Sequence, residues 1–250
     1  METEKVYADF ISRKRDTEAR LKSLRSALTD AERMNIAFKA GRTPELVVAL
    51  LQTLEDAGLG AHFTVVGTHA LYAYETAAGV RIVQGALATQ DVDLLWDARM
   101  RVQFMADMGK VDASMLEVLQ RVDPSFKRKD RHNETAINDK GFEVDFLRRM
   151  PVDDDLHPFR FTDDEGDLWP VQAPRASVLT DAPRFEHLVI AATGRMARMR
   201  TVAPRSFVEF KRWMGKEAPN RPEAKRRRDL RQADIVQSLI TGGLLPATLS

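Results

Sequence analysis

Two aspartates with one residue between them, Asp91 and Asp93, open the apolar run Asp91-Val92-Asp93-Leu94-Leu95-Trp96. If that run is a strand, alternation puts both carboxylates on one face and Val92 on the other. Like charges held that way repel, and burying them unpaired is costly or forces one to take up a proton. A divalent cation removes the conflict. Mg²⁺ is commonly held by one or two carboxylates together with substrate phosphates, and a pair of such ions can clamp the attacking and leaving oxygens of an in-line displacement. A third carboxylate stands in a separate apolar run, Gly141 to Leu147, where Val144, Phe146 and Leu147 embed Asp145. Upstream, the β-branched run Phe63 to Val66 stops at Gly67-Thr68, as a buried strand does at a tight turn. The stretch Thr68 to Thr76 is helical in character, so Thr68 is expected as N-cap, with the free amides of that helix start facing an anion beyond the strand.

The elements that must position these groups are legible on either side. Residues 1 to 36 lack Gly and Pro and carry Phe10, Leu21, Leu24 and Leu28 at nearly helical intervals, which predicts one or two amphipathic helices. That arm is either solvated, or it grips a substrate or joins copies of the chain. Gly41-Arg42-Thr43-Pro44 is a break, with Thr43 expected as N-cap and Pro44 as first residue of a helix running through Leu54 to a stop at Gly58. Residues 98 to 122 read as helices laid on the sheet, with their Met residues as core filler. Residues 125 to 138 carry Arg128, Lys129, Arg131 and His132 on either a solvated hairpin or a phosphate-facing loop.

Residues 150 to 167, with Asp153-Asp154-Asp155 and Asp163-Asp164-Glu165-Gly166-Asp167, read as solvated acidic turns; the spacing does not fit a calcium loop. Leu188 to Ala192 and Met196 to Val202 suggest a hairpin with Arg198 and Arg200 on one face. Pro204 opens a helix, Arg205 to Met214, with an apolar stripe of Phe207, Phe210 and Trp213 and with Lys211 off that stripe. A last helix begins with the basic run Lys225 to Arg231 and continues with Ala233, Val236, Leu239 and Ile240 at core spacing. That basic run is either a solvated face or a surface for phosphates.

With 250 residues, 44% of them apolar and 30% charged, the chain can bury a sizeable core. A net charge of only +1 does not indicate a strongly basic nucleic-acid binder overall, although the C-terminal third is the basic end. The absence of cysteine excludes disulfides, thiolate metal sites and a cysteine nucleophile. No run approaches the ~18 apolar residues of a membrane span, and no signal-like core opens the chain, so a cytoplasmic protein with no membrane partner is expected.

The order Gly67-Thr68, then Asp91-x-Asp93, then Asp145 resembles the Gly-Ser, Asp-x-Asp and Asp pattern of the polymerase-β-like nucleotidyltransferase superfamily. Thr68 stands where Ser is commoner and keeps the hydroxyl. The wording GTHALYAYE followed by ATQDVDLLWDAR is more specifically similar to a family of bacterial stand-alone nucleotidyltransferase-fold proteins, distantly similar to the nucleotidyltransferase toxins of abortive-infection systems. The resemblance covers roughly residues 40 to 240. It implies that Asp91 and Asp93 hold two Mg²⁺, that Asp145 completes the acceptor-side metal and helps activate the nucleophile, and that Gly67 and Thr68 contact the β- and γ-phosphates. It also implies that Lys211, Arg228 and Asp229 complete the nucleotide pocket.

The expected fold is therefore α/β (α+β), a nucleotidyltransferase palm with a small mixed sheet. A helical N-terminal arm would occupy residues 1–40, the catalytic domain 41–150, and a β-hairpin and helical region completing the cleft 151–250. The expected reaction is metal-dependent transfer of a nucleoside monophosphate from an NTP to a hydroxyl or phosphate acceptor, with release of pyrophosphate. The acceptor could be an RNA such as a tRNA, a protein or a small molecule. If it is RNA, Arg227 and Arg228 are expected along the cleft. A non-catalytic nucleotide- or RNA-binding module that keeps the fold is the rival reading. If the N-terminal arm joins copies of the chain, the assembly is a homo-oligomer.

Overall fold

The computed structural model describes residues 2–151 and 159–246. In chain order its elements are α1 (Glu2–Ala37), α2 (Glu45–Asp56), β1 (Phe63–Val66), α3 (Ala70–Ala78), α4 (Gln84–Leu87), β2 (Asp91–Trp96), α5 (Arg101–Val111), α6 (Met115–Gln120), β3 (Lys127–Lys129), β4 (His132–Ile137) and β5 (Glu143–Arg148). There follow β6 (Val171–Gln172), α7 (Ala176–Thr180), β7 (Arg184–Ile190), β8 (Met196–Val202), α8 (Pro204–Lys216) and α9 (Glu223–Thr241).

A mixed sheet in the order β1-β2-β5-β4-β3 carries the site, and β6 shares the outer edge of β5 with β4. β1 runs antiparallel to β2, β2 parallel to β5, and β5 antiparallel to β4. The alternation read in the sequence holds. In β5, Val144 and Phe146 point into the core while Glu143, Asp145 and Leu147 lie on the opposite, half-exposed face. β7 and β8 form a separate two-stranded hairpin with Arg198 and Arg200 two residues apart on one strand. It begins at Arg184, earlier than the expected Leu188.

One continuous core runs from α2 through α9. Its aromatic centre includes Phe63, Phe104, Phe146 and Phe161, with Trp96 stacked on Phe159 at 4.3 Å between ring centroids. Phe159 and Phe161 come from the stretch expected to be solvated acidic turns. That expectation fails for its second half. Asp167 is fully buried and accepts from the amides of Met115 and Leu116, satisfying orphan donors at the start of α6. Asp153, Asp154 and Asp155 lie outside the described residues.

Two smaller expectations also change. The N-cap of α2 is Pro44 rather than Thr43, because Thr43 is buried and bridges to Ala191 beside the hairpin instead of capping the helix. Met108 and Met115 fill core space as expected, but Met105 is 43% exposed. Residues 2–37 form a single helix, one of the two arrangements expected there. Among the described residues, no helix is long and apolar enough to cross a membrane.

Candidate active site

Register converts three distant aspartates into neighbours. Val66 lies opposite Asp93 across the β1–β2 pair, and Asp93 lies opposite Asp145 across the β2–β5 pair. Asp91, Asp93 and Asp145 each present one carboxylate oxygen, and these oxygens lie within 4.8 Å of one another. Gly67, directly after β1, adopts φ +71°, and a Cβ built there would meet Asp93 Oδ2 at 2.1 Å. Glycine is needed at this position on both counts, for the left-handed backbone and for the close approach to the carboxylate.

The electrostatics match that crowding. Burial pushes the Asp93 carboxyl up to about 7; Asp91 and Asp145 add to the shift, while Lys211 and Arg221 oppose it. Burial also raises the Asp145 carboxyl, against a 2.5 Å hydrogen bond from Thr135 Oγ1 to its Oδ1. The Thr89 hydroxyl donates to Asp91 Oδ1. Three carboxylate oxygens crowded together, with the charge of Asp91 adding to the upward shifts of Asp93 and Asp145, make a donor set suited to a hard divalent cation.

This triad sits in a cleft of about 430 Å³ whose floor is formed by Gly67, Thr68 and the three aspartates. Phe210, Lys211 and Trp213 of α8, Arg221, and Lys225 and Arg228 of α9 form the opposing wall. Asp229, fully buried, accepts from Lys211 Nζ at 2.8 Å and from Arg221 Nε at 2.6 Å. Burial works against the Asp229 carboxylate, but Lys211 and Arg221 outweigh it and keep it ionised. Burial lowers the Lys211 ammonium, against the ion pair with Asp229. Two cations thus share one carboxylate. The wall keeps a positive surplus facing the acidic floor, which is the arrangement a polyphosphate bridging the two would meet.

A family model described as nucleotidyltransferase matches residues 45–249. The chain belongs to that family. Neither the curated proteins nor the solved structures yield a match.

Seven of the residues singled out in the sequence of this nucleotidyltransferase, Gly67, Thr68, Asp91, Asp93, Asp145, Lys211 and Arg228, line the one cleft. Asp229 does not line it; it stands behind Lys211 and Arg221 and orients both. Lys211 is not off the buried face of α8 as expected. It is 4% exposed beside Phe207 and Val208, a burial that only its ionised partner makes tolerable. Arg228 donates to the carbonyl of Ala88 at 3.0 Å, while Arg227 faces a different surface depression with Leu230 and Arg231. The expectation that both arginines follow the cleft is therefore corrected: adjacent helical positions diverge by about 100° around the axis.

Thr68 is not an N-cap. It sits in a short 3₁₀ turn, Gly67–His69, α3 starts at Ala70, and no side chain caps it. The Thr68 hydroxyl instead accepts from Gln232 Nε2 at 3.1 Å, and the same amide nitrogen donates to Ala86 O at 2.7 Å. Because a carbonyl can only accept, the Ala86 contact fixes which end of the Gln232 amide faces Thr68. The Thr68 hydroxyl proton then remains for a ligand. The basic hairpin β3–β4 serves structure: Arg128 donates to the carbonyl of Asp167, Lys129 pairs with Glu143, and His132 contacts Glu134. None of the four basic residues there lines the cleft.

Four site residues escape the sequence reading. Arg221 lies between Pro219 and Pro222 after Asn220 at positive φ, and a cation held in so stiff a turn was a usable signal. Gln232 and Thr135 carry none. His69 is buried against Tyr72 and Phe142, and burial drops its imidazole to about 4, with Asp91 opposing. It is a neutral support beneath Asp91.

Proposed function

We propose that this nucleotidyltransferase moves a nucleoside monophosphate from an NTP to an acceptor hydroxyl or phosphate and releases pyrophosphate in a divalent-metal-dependent reaction. The observation that carries this reading is the convergence of Asp91, Asp93 and Asp145 beside the Gly67-Thr68 turn and opposite Lys211 and Arg221. Asp91, Asp93 and Asp145 would hold Mg²⁺, which when bound neutralises phosphate charge and favours the attacking and leaving oxygens. Gly67 leaves room for the triphosphate to approach Asp93, and Thr68 donates its free hydroxyl proton to a phosphate oxygen. Lys211 and Arg221, anchored by Asp229, offset charge that builds on the leaving pyrophosphate as the bond between the α-phosphorus and its bridging oxygen breaks. Asp145, whose carboxyl burial makes more basic than usual, takes the acceptor's proton as its oxygen bonds to the α-phosphorus. Catalysis on this reading is positioning and charge neutralisation on a rigid sheet.

The test is to incubate the protein with each labelled NTP, Mg²⁺ and a cell extract, and to follow both pyrophosphate release and the fraction that takes up label. Labelled acceptor and pyrophosphate in equal amounts, lost with chelator and with Asp93→Asn, is the expected result. Mg²⁺-dependent NTP binding without any pyrophosphate release would replace this reading with that of a non-catalytic nucleotide-binding module.

A further inference from the structure

The basic run that opens α9 divides among different surroundings. Lys225 and Arg228 line the cleft, and Arg227 faces the depression beside Leu230 and Arg231. Arg226 serves neither; it reaches into the bend between α8 and α9, Glu217-Ala218-Pro219-Asn220-Arg221-Pro222. Its guanidinium donates to three carbonyls there: from Nη2 to Ala218 O at 2.6 Å, from Nε to Arg221 O at 3.1 Å and from Nη1 to Gly215 O at 3.4 Å. Two of those carbonyls have a reason to need it. In a continuing helix Gly215 O and Ala218 O would each accept from the amide four residues on, and those positions, Pro219 and Pro222, have no amide proton. A cation is also favourable at the C-terminal end of α8. Gly215 lets Arg226 come near: an added Cβ would stand 2.5 Å from Leu230 Cγ and 3.2 Å from Arg226 O, so α9 crosses α8 closer than a side chain there would allow.

The bend so gripped carries Arg221 into the cleft. Arg221 is fixed at its carbonyl by Arg226 and at Nε by Asp229, and among the described residues neither of its Nη nitrogens has a protein partner. Asn220 beside it sits at φ +54°, a conformation that persists where the surroundings impose it. We propose, resting on the role assigned to Arg221 above, that Arg226 is a positioning residue: it clamps the bend at Gly215, Ala218 and Arg221 and so aims the free edge of the Arg221 guanidinium at the leaving pyrophosphate. Arg226 itself does not line the cleft. Because it grips the backbone carbonyl of Arg221, R221A leaves the clamp in place, and the two residues can be removed independently.

Steady-state pyrophosphate release and amide hydrogen exchange on the full chain test this with R226A, R226K, R221A and R226A/R221A. R221A should lower kcat by about a hundredfold, as loss of a donor to developing charge does. R226A should lower it by about tenfold through misplacement of Arg221, chiefly in kcat rather than in KM for NTP. R226K keeps the charge but not the planar fork; it should lose less, and it carries the comparison if R226A does not fold. In the R221A background R226A should add nothing, whereas a general loosening of the fold would lower kcat by the same factor again. The amides of Glu217 and Ala218, both donating to Trp213 O, should exchange faster in R226A. Parental kcat in R226A and R226K, an R226A effect of equal size with and without Arg221, or unchanged exchange at Glu217 and Ala218 overturns the proposal. A parent that releases no pyrophosphate overturns the reaction instead, and faster exchange in R226A would then still support Arg226 as the clamp of the bend.

Discussion

Replacing Asp93 by Asn removes one charge from three carboxylates that share a cleft floor, and the structure sets the size and sign of the effect. The Asp93 carboxyl rises from an ordinary 3.8 to about 7 in the fold. The native state therefore keeps a proton between pH 4 and 7 that the unfolded chain has lost, and its stability falls as pH rises through that window. At about 1.4 kcal/mol per pKa unit, the ceiling on this loss is roughly 4 kcal/mol. Asp93 is half-buried, with some access to solvent from the cleft, and this screens the repulsion, so about 1–2 kcal/mol is the expected figure. Asn at the same place carries no such penalty. In chelator at pH 8, Asp93→Asn should melt about 2–8 °C above the parent, and at pH 4 the two should coincide. The readout is the difference between variant and parent at each pH. His69, neutral in the fold with its imidazole near 4, contributes an opposite slope, because the unfolded chain gains a proton there as pH falls through 6.5; this term cancels in the difference. Saturating Mg²⁺ should stabilise the parent, by about 2.7 kcal/mol at a hundredfold excess over Kd, and should leave the variant unmoved. A difference that is flat with pH, or a variant less stable than the parent at pH 8, would refute the reasoning that these carboxylates repel.

Gly67→Ala should leave the sheet folded but eliminate pyrophosphate release, since the added methyl would press on Asp93 at 2.1 Å from a backbone at φ +71°; turnover near that of the parent would remove Gly67 from the site. Thr68→Val should raise KM for NTP by about tenfold or more and Gln232→Met by less, and the double variant should do no worse than Thr68→Val, because Gln232 acts through the Thr68 hydroxyl. Additive effects in that cycle would separate Gln232 from Thr68. If the acceptor is RNA, Arg228→Ala should flatten the salt dependence of RNA binding by about one slope unit, whereas Arg227→Ala, facing a different depression, should leave the slope alone. Parallel salt lines for all three proteins would favour a protein or small-molecule acceptor.

Asp91, Asp93 and Asp145 could be chosen from the sequence because period-two alternation is local: once β2 and β5 are strands, which face each carboxylate occupies follows from counting. The turn at Gly67 was legible for a similar reason, since glycine punctuates a β-branched run. The same local reading failed wherever a side chain's partner was distant. Phe159, Phe161 and Asp167 lay in an acidic stretch whose composition spoke for solvent, yet the sheet needed aromatic filling and α6 needed its first amides satisfied. Lys211 looked like the polar side of an amphipathic helix, and only the position of Asp229 on α9 permits its burial.

The sequence by itself determined the chemistry available to this nucleotidyltransferase: three carboxylates on two strands, a glycine–hydroxyl turn, a basic C-terminal end and no thiol. Tertiary structure decided which groups meet. The pairing of β2 with β5 sets Asp145 opposite Asp93, and the packing of α9 on the Gly67–His69 turn gives Gln232 to Thr68. The helical phase of α9 sends Arg228 into the cleft and Arg227 away from it. Strand register and helix packing are fixed by contacts between residues far apart in the chain, and a local pattern does not carry that information.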